Sequence, residues 1–489
     1  MAIELEAQDN KTATVSRSAW FTLAILSSTL LAVMFSETML LPAIPEIMQD
    51  FSIPYGTGAW IFSAYLIVAA VMTPIAGRLS DIYGKKKVLL TLLAIYIAGT
   101  VAGGFADSIS FLLASRVIQG VGLAAVPAAF SLLRDSFPPA RLAIAVGVFG
   151  SAYSAGSVVG LLVGASVIQN FGWHATFFFI APIAAVVALL IARFVREEQP
   201  PKAGEGAPDK KRSSIDMKGA VALSATIISF LLGLTLVETG MSAENLPQIA
   251  AAFAASAVSL SIFVAIERSI ASPLLDLQLL KDRTLLPSYL ILVSTGIAMF
   301  IAYPSIVQLV RSPAPLGFGG DAIDAANVQL PFMVMFLIFA SATAFIISRI
   351  GSVKPTIIGA VISLAGSLGL LMFHSTEFAV SANLAVIATG LSLTSTAVWN
   401  LIVSSAPREF IGISTGVGAL LLFVGMAIGP ALAGVYMEDK ETIEGVAGSY
   451  PSPESYNLIF LTSGLLSAAS LGLALMLRKK AAGQKVIEV

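Results

Sequence analysis

Long apolar runs constrain this chain more than any other feature of its sequence. Fourteen of them have about the 20 residues that an α-helix needs to cross the hydrocarbon core of a bilayer. They cover, approximately, residues 19–43, 55–77, 87–106, 109–133, 142–168, 174–195, 218–238, 247–267, 284–309, 326–348, 354–373, 378–402, 412–436 and 456–477. The chain is 57% hydrophobic and only 12% charged, whereas ordinary soluble domains have about 25% charged residues. The sequence therefore predicts an all-α membrane protein with many spans.

Lysine and arginine are sorted by side when these runs are taken as spans. If both termini are cytoplasmic, 25 of the 28 basic residues fall in inner segments. Two, Arg311 and Lys440, fall in outer loops, and Arg116 falls inside a span. The positive-inside rule predicts this asymmetry, and an odd number of spans removes it. We therefore predict fourteen spans in the cell (plasma or inner) membrane, with both termini in the cytoplasm.

An internal repeat predicts how the spans are grouped. Residues 137–165 align with residues 406–434 at an offset of 269. The alignment places Pro138 on Pro407, Gly147 on Gly416, Val148 on Val417, Gly156 on Gly425 and Gly160 on Gly429. The turn around Gly351 likewise looks like a copy of the one around Gly84. Two six-helix bundles with two further helices between them explain both the offset and the total of fourteen. Parallel repeats of this kind place a substrate site between the bundles, near the bilayer midplane.

The resulting division of the chain has seven parts. They are a cytoplasmic tail (1–18), the N-terminal bundle (19–195), a polar cytoplasmic linker (196–217), two inserted spans (218–267), a cytoplasmic loop (268–283), the C-terminal bundle (284–477) and a cytoplasmic tail (478–489). Residues 271–283, with an apolar run at 274–280, are predicted to lie along the membrane surface. The acidic outer segment 437–456 is predicted to be mobile. Glu238 and Glu267, at the ends of the inserted spans, are predicted to be solvated.

A charged segment between the second and third spans carries the first family resemblance. Gly77-Arg78-Leu79-Ser80-Asp81-Ile82-Tyr83-Gly84-Lys85-Lys86-Lys87 is predicted to be a tight turn, because glycines permit reversal and its cations favour the cytoplasmic side. It resembles the signature between the second and third spans of the major facilitator superfamily. Ile82 stands where that pattern often has a basic residue.

Further segments are similar to the fourteen-span drug:proton antiporters of that superfamily, across most of the N-terminal half and the thirteenth span. They are Ser36-Glu37-Thr38…Leu41-Pro42, Trp60…Tyr65…Pro74, Arg116-Val117-Ile118-Gln119-Gly120-Val121-Gly122 with Pro127, Gly156-x3-Gly160 with Gly164-Ala165, and Gly425-x3-Gly429-Pro430-x3-Gly434. Leu161 stands where the antiporter pattern usually has proline. The resemblance implies two rocking bundles that exchange protons for a drug.

Glu37 and Arg116 are the predicted proton-coupling residues. A carboxylate inside the membrane is costly if ionised and unpaired, so Glu37 is expected to be neutral, paired or in contact with water. Both residues lie about 10 Å inside their spans, counted from the outer ends at the helical rise. A Glu37–Arg116 pair, direct or through water, is therefore predicted. The alternatives are an acid in an aqueous vestibule and a structural arginine bonded to backbone carbonyls.

Two further groups have roles that the resemblance implies. Gly77, Arg78, Asp81, Gly84 and Lys85 belong to the gating signature, in which the acid holds the cytoplasmic gate shut; alternatively Asp81 only balances the lysines. Gly156, Gly160, Gly164, Gly425, Gly429 and Pro430 belong to the antiporter pattern. Four-residue glycine spacing by itself indicates close helix packing. Sealing of the pathway against leaks comes from the resemblance alone.

Polar and aromatic residues within apolar spans are candidates for the cavity wall, although each alternatively bonds a neighbouring helix. They are Tyr65, Gln119, Tyr153, Tyr303, Gln308 and Asn400. One intramembrane acid and an apolar, aromatic lining favour export of amphipathic or lipophilic molecules, driven by protons. The alternative is transport of an endogenous lipid or metabolite by the same fold. A membrane enzyme fits poorly, because no metalloprotease, nucleophile-elbow or phosphate-binding motif is present. We predict a monomer without cofactor, metal or nucleic-acid partner.

Overall fold

The computed structural model describes residues 16–195, 216–238, 244–270, 281–406, 411–445 and 448–487. The first half contains α1 (Arg17–Met39), a 3-10 turn (Leu41–Ala43), α2 (Ile44–Asp50), α3 (Tyr55–Tyr83), α4 (Lys85–Gly103), α5 (Ile109–Leu123), α6 (Ala125–Ser136), α7 (Pro139–Phe171) and α8 (His174–Phe194). Next come α9 (Met217–Glu238) and α10 (Leu246–Ser269). The second half contains α11 (Leu285–Arg311), α12 (Ala322–Ile350), α13 (Val353–Met372), α14 (Glu377–Ser405), α15 (Ile411–Tyr436), β1 (Lys440–Thr442), β2 (Ser449–Pro451) and α16 (Pro453–Ile487).

The predicted helical membrane architecture is confirmed. In the described ranges, thirteen helical stretches are long and apolar enough to cross a membrane. The remaining predicted span, 109–133, is divided at Ala124 into α5 and α6, and its apolar part, Ile109–Leu123, is shorter. Pro127 follows the break, and a proline without an N–H fits the first turn of a new helix. The count of fourteen and the side of the termini stay predictions.

The turn predicted at residues 77–87 is shorter than the sequence indicates. Helix α3 continues to Tyr83 and α4 begins at Lys85, so Gly84 alone separates them. Its φ of 95° lies in the region that favours glycine. Gly77 instead lies inside α3, where glycine costs only about 1 kcal/mol relative to alanine, so it does not end the helix. Gly351, with φ of 74°, ends α12 in the same way.

The two halves use the same close packing between their glycine-rich helix and their first long helix. A Cβ on Gly156, Gly160 or Gly164 of α7 would meet the carbonyl oxygens of Leu31, Phe35 and Met39, respectively, in α1. In the second half, a Cβ on Gly425 of α15 would meet the carbonyl oxygen of Val293, and one on Gly429 would lie 2.7 Å from the backbone nitrogen of Ile301. Small residues at these positions let the helix backbones approach, as in other membrane helix pairs.

The inserted helices lie against the seam between the halves. Helix α9 packs against α3 of the first half and α15 of the second. The Trp60 indole Nε1 donates a hydrogen bond of 2.9 Å to Thr235 Oγ1, which joins α3 to α9. The prediction that Glu267 is solvated is wrong, since only 4% of this residue is exposed. It lies beside Gly219 of α9, which has no side chain to exclude it.

The connecting segments differ in how far the structure describes them. The linker residues 196–215 and the predicted surface segment 271–280 lie outside the described residues. The described part of the outer segment contains a short strand pair, in which β1 and β2 are antiparallel with Glu441 opposite Tyr450. Its mobility stays a prediction. The Ser452 hydroxyl also donates to Asp439 Oδ2 at 2.5 Å. Helix α16 extends past residue 478 to Ile487.

Candidate functional site

A narrow cavity lies where the two halves meet. Helices α1, α3 and α7 supply one wall, and α11 and α12 supply the other. The lining residues are Met34, Glu37, Thr38, Leu41, Phe62, Tyr153, Ser154, Ser157, Met299, Phe300, Tyr303, Met333 and Phe336. Aliphatic, thioether and aromatic side chains make up most of this surface, and Glu37 is the only carboxylic acid among the described lining residues. The cavity therefore suits an apolar or amphipathic molecule.

Glu37 is the chemically distinctive residue of this wall. It is 4% exposed, and neither carboxylate oxygen has a hydrogen-bonding partner among the described residues. Its neighbour Thr38 is held in place, since its hydroxyl lies 2.9 Å from the Met34 carbonyl oxygen and 3.0 Å from that of Ser157. An ionised, unpaired carboxylate in such surroundings costs several kcal/mol. The site thus offers an unsatisfied acceptor for a proton or a cationic group.

Arg116 is almost completely buried in α5, at 1% exposure. Its Nε donates a 3.0 Å bond to the carbonyl oxygen of Ile61, and its Nη1 donates to Gln119 Oε1. The guanidinium carbon also lies 4.5 Å from the centre of the Tyr65 ring, a cation–π distance. Gln119 continues the network, because its Nε2 donates to Thr100 Oγ1 at 3.0 Å.

The direct form of the predicted Glu37–Arg116 ion pair is absent from this structure. Gln119, three residues further along the same helix, accepts the hydrogen bond from Nη1, and the Ile61 carbonyl oxygen accepts the one from Nε. Both oxygens of Glu37 and the Nη2 of Arg116 have no hydrogen-bonding partner in the described part of the chain. The backbone-bonded arginine that the sequence left as an alternative describes the geometry better. A water-mediated pair stays a prediction.

The predicted cavity residues divide into two groups. Tyr153 and Tyr303 line the cavity, and the Tyr303 ring lies 4.8 Å from that of Phe332. Tyr65 and Gln119 belong to the arginine network instead. Gln308 is buried in α11 away from the lining, and Asn400 is exposed and accepts a 2.8 Å hydrogen bond from Ser352. These four bond or pack between helices.

The predicted gating signature is only partly described. Gly84 forms the turn and Lys85 starts α4, whereas Gly77 has open space where a side chain would be. The side chains of Arg78 and Asp81 lie outside the described part, so the latch role of Asp81 stays a prediction. Pro430 lies inside α15, one residue after Gly429.

Several lining residues carry no signal in the sequence. Met34, Phe62, Met299, Phe300 and Phe336 are apolar residues in apolar helices. A cavity-facing position and a lipid-facing one have the same composition there. Only a knowledge of helix rotation distinguishes them.

Polar contacts across the halves lie at one end of the cavity. The Nη2 of Arg311 lies 2.9 Å from Glu46 Oε1, and Gln169 Nε2 donates a 2.8 Å bond to Asp321 Oδ2. Hydrogen bonds from the backbone N–H of Asp324 and from the Gln169 amide hold the pKa of the Asp321 carboxyl below its ordinary range. Nearer the middle, the Ser63 hydroxyl donates to the carbonyl oxygen of Ala427 at 2.8 Å.

A metal centre has no support in the described ranges. No group of three or more His, Asp or Glu side chains there is placed to hold an ion.

Comparisons with known proteins give one consistent result. The Major Facilitator Superfamily profile matches residues 26–430. The chain is 30% identical to the multidrug efflux pump LfrA of Mycolicibacterium smegmatis, over 89% of this chain and 84% of that protein. It is 26% identical to the tetracenomycin C resistance and export protein of Streptomyces glaucescens, over 86% and 76%. Its fold is similar to that of the POT family transporter PepTSo, with a TM-score of 0.64, 17% identity and 94% and 98% coverage.

Proposed function

Since the chain belongs to the Major Facilitator Superfamily, we propose that it is a proton-coupled secondary transporter that exports amphipathic or lipophilic small molecules. Two relatives are by name an efflux pump and an export protein. The observation that carries the proposal is Glu37. It is a buried carboxyl in the wall of an apolar cavity between the bundles, and neither of its oxygens is hydrogen bonded to any of the residues that the structure describes.

The coupling follows from the cost of leaving Glu37 ionised. When the cavity is empty, a proton removes that cost; when a lipophilic cation occupies it, the cation supplies the opposite charge. A proton and a cargo molecule therefore compete for one acceptor. Because each form of Glu37 stabilises a different arrangement of the bundles, the proton gradient does work on the cargo.

The shape of the site supports alternating access as the transport mechanism. Drug-sized pockets measure about 300–1,000 Å3, and this cavity is too narrow to enclose a molecule of that class. The bundles must separate on one side and then on the other for such a molecule to pass. The described interface has the parts for that movement, since helices α7 and α12, and α3 and α15, pack across the seam.

The test is gradient-driven transport by purified protein in liposomes, with ethidium as the probe. We expect ethidium to accumulate when a pH gradient is imposed and to stop accumulating when a protonophore collapses it. Glu37→Gln should weaken ethidium binding, because it removes the negative charge that the cation would neutralise, and should abolish the gradient dependence. Glu377→Gln, at an exposed helix start outside the cavity, is the matched control.

Two results contradict the proposal. Undiminished pH dependence in Glu37→Gln excludes this residue as the coupling site. Gradient-independent movement of a labelled phospholipid, without ethidium transport, favours the alternative of an endogenous lipid substrate.

A further inference from the structure

Two polar contacts fasten the same segment of the second half to the first half. Arg311 ends α11 and Asp321 precedes α12, so they bracket the connection between these helices. Arg311 pairs with Glu46 of α2 at 2.9 Å. Asp321 accepts the 2.8 Å bond from Gln169 of α7. The connection is therefore held at both of its ends by the opposite bundle.

Both contacts lie at one end of the cavity, beyond its lining. Ser157 lines the cavity and Gln169 lies twelve residues further along α7, about 18 Å at the helical rise. Met333 lines the opposite wall, and Asp321 lies twelve residues before it. The basic-residue count predicts that this end faces outward. The short helix α2 and the turn before it contact α11, and that turn also contacts α12, so the chain between Glu37 and Glu46 covers this end.

The contacts are fixed in orientation. Asp321 Oδ1 accepts from the N–H groups of Ile323 and Asp324, which leaves Oδ2 directed at Gln169. The side chains of Arg311 and Glu46 are 16% and 28% exposed. Their attraction is therefore less screened than that of a fully exposed surface pair.

We propose that Glu46–Arg311 and Gln169–Asp321 form an outer latch, which closes the cavity toward the outside and must open when cargo is released. The release step rests on the proposed export function. The closure does not, since it concerns only whether the two bundles are held together at this end.

The first test measures access to the cavity without measuring transport. The chain has no cysteine, so Ser154→Cys places one thiol in the cavity wall. An impermeant maleimide is added from outside, and the labelling rate is followed. Glu46→Gln or Arg311→Gln should raise this rate about two- to fivefold, the factor for losing one such ion pair.

Charge reversal and a matched control make this test specific. The double variant Glu46→Arg with Arg311→Glu should return the labelling rate to its original value. Glu454→Gln removes an acid from the start of α16, outside the latch, and should leave the rate unchanged. An unchanged rate in both single latch variants overturns the proposal, and so does a double variant that labels as fast as the singles.

The second test asks whether the latch must open. Glu46→Cys with Arg311→Cys, and Gln169→Cys with Asp321→Cys, are joined by a short bifunctional thiol reagent. Each link should abolish ethidium transport until a cleavable reagent is reduced. Asp50→Cys with Trp173→Cys replaces a contact of 2.7 Å within the first half, so this link should leave transport intact.

The outcomes separate the latch from the export function. Transport that continues with a complete cross-bundle link overturns the latch. Expected labelling changes in a protein that transports no ethidium before linking support closure and contradict the export proposal.

Discussion

Arg116 shows how a buried cation is stabilised without an ion pair to any carboxylate that the structure describes. A carbonyl oxygen, a side-chain amide and an aromatic ring surround its guanidinium. Lysine has one terminal ammonium on a flexible chain and does not reproduce the planar fork.

We therefore predict that Arg116→Lys lowers the free energy of unfolding by about 2 kcal/mol, the value of hydrogen bonds to a charged group, and strongly reduces transport. Thermal unfolding in detergent and liposome flux measure the two effects. Arg193→Lys, at an exposed arginine, is the control. Equal melting temperatures for Arg116→Lys and the parent protein contradict the prediction.

The two glycines of the charged segment differ in whether their backbone conformation requires glycine. Gly84 has φ of 95°, whereas Gly77 is helical with nothing within 4 Å of an added Cβ. Gly84→Ala should cost about 1–2 kcal/mol of strain. Gly77→Ala should leave stability unchanged or raise it by up to about 1 kcal/mol. Thermal shifts measured side by side check this, and a larger loss from Gly77→Ala contradicts it.

Asp321 gives a prediction about pH. Because its folded pKa is lowered, the stabilisation from its ionised form is present above its ordinary pKa and is lost as pH falls through the lower, folded value. The difference in melting temperature between the parent protein and Asp321→Ala should be constant from about pH 8 to pH 5 and shrink only below about pH 4. A difference that already disappears near pH 6 contradicts this.

At the scale of single residues, sequence reasoning found what is chemically unusual and missed what is ordinary. Glu37 and Arg116 stand out because a charge inside an apolar run is expensive. The sequence did not predict that these two side chains fail to pair directly. That outcome depends on helix rotation and on the competing Gln119, which are both properties of packing. Met34 and Met299 were missed because an apolar residue is common on every face of a membrane helix.

Among the helices, α7 shows how packing depends on individual glycines. Gly156, Gly160 and Gly164 lie where a Cβ would meet the backbone of α1, while Gly150 of the same helix has open space. We predict that Gly160→Ala costs about 1–3 kcal/mol, as other overpacked sites do, and that Gly150→Ala costs almost nothing. Thermal unfolding of both variants tests this. Equal effects mean that the helices are not in close contact.

Helix existence was predictable from apolar runs, but helix ends were less so. The charges after Gly77 read as the end of a span, yet arginine, leucine and serine continue α3 to Tyr83. The break at Ala124 was missed because alanine favours helix, and only Pro127 marks it. The repeat predicted that the thirteenth span matches the fifth, and α15 packs on α11 as α7 packs on α1.

For the whole molecule, the absence of cysteine makes the predicted topology open to a direct test. Single substitutions Ser18→Cys and Arg478→Cys should react with an impermeant maleimide only after cells are permeabilised. Glu444→Cys, in the turn between β1 and β2, should react on intact cells. Labelling of Ser18 and Arg478 from opposite sides means an odd number of spans and contradicts the prediction.

The position of α9 has a consequence for how the protein's outline changes in the bilayer. This helix is hydrogen bonded to α3 through Trp60 and Thr235, and it also packs against α15. If the halves rotate as proposed, we expect the hydrogen bond to α3 to carry α9 along with the first half, so that α15 slides against α9. We then expect α9 to cover that flank of the seam during the movement, so that the lipids adjust mainly on the opposite flank, beside α7 and α12.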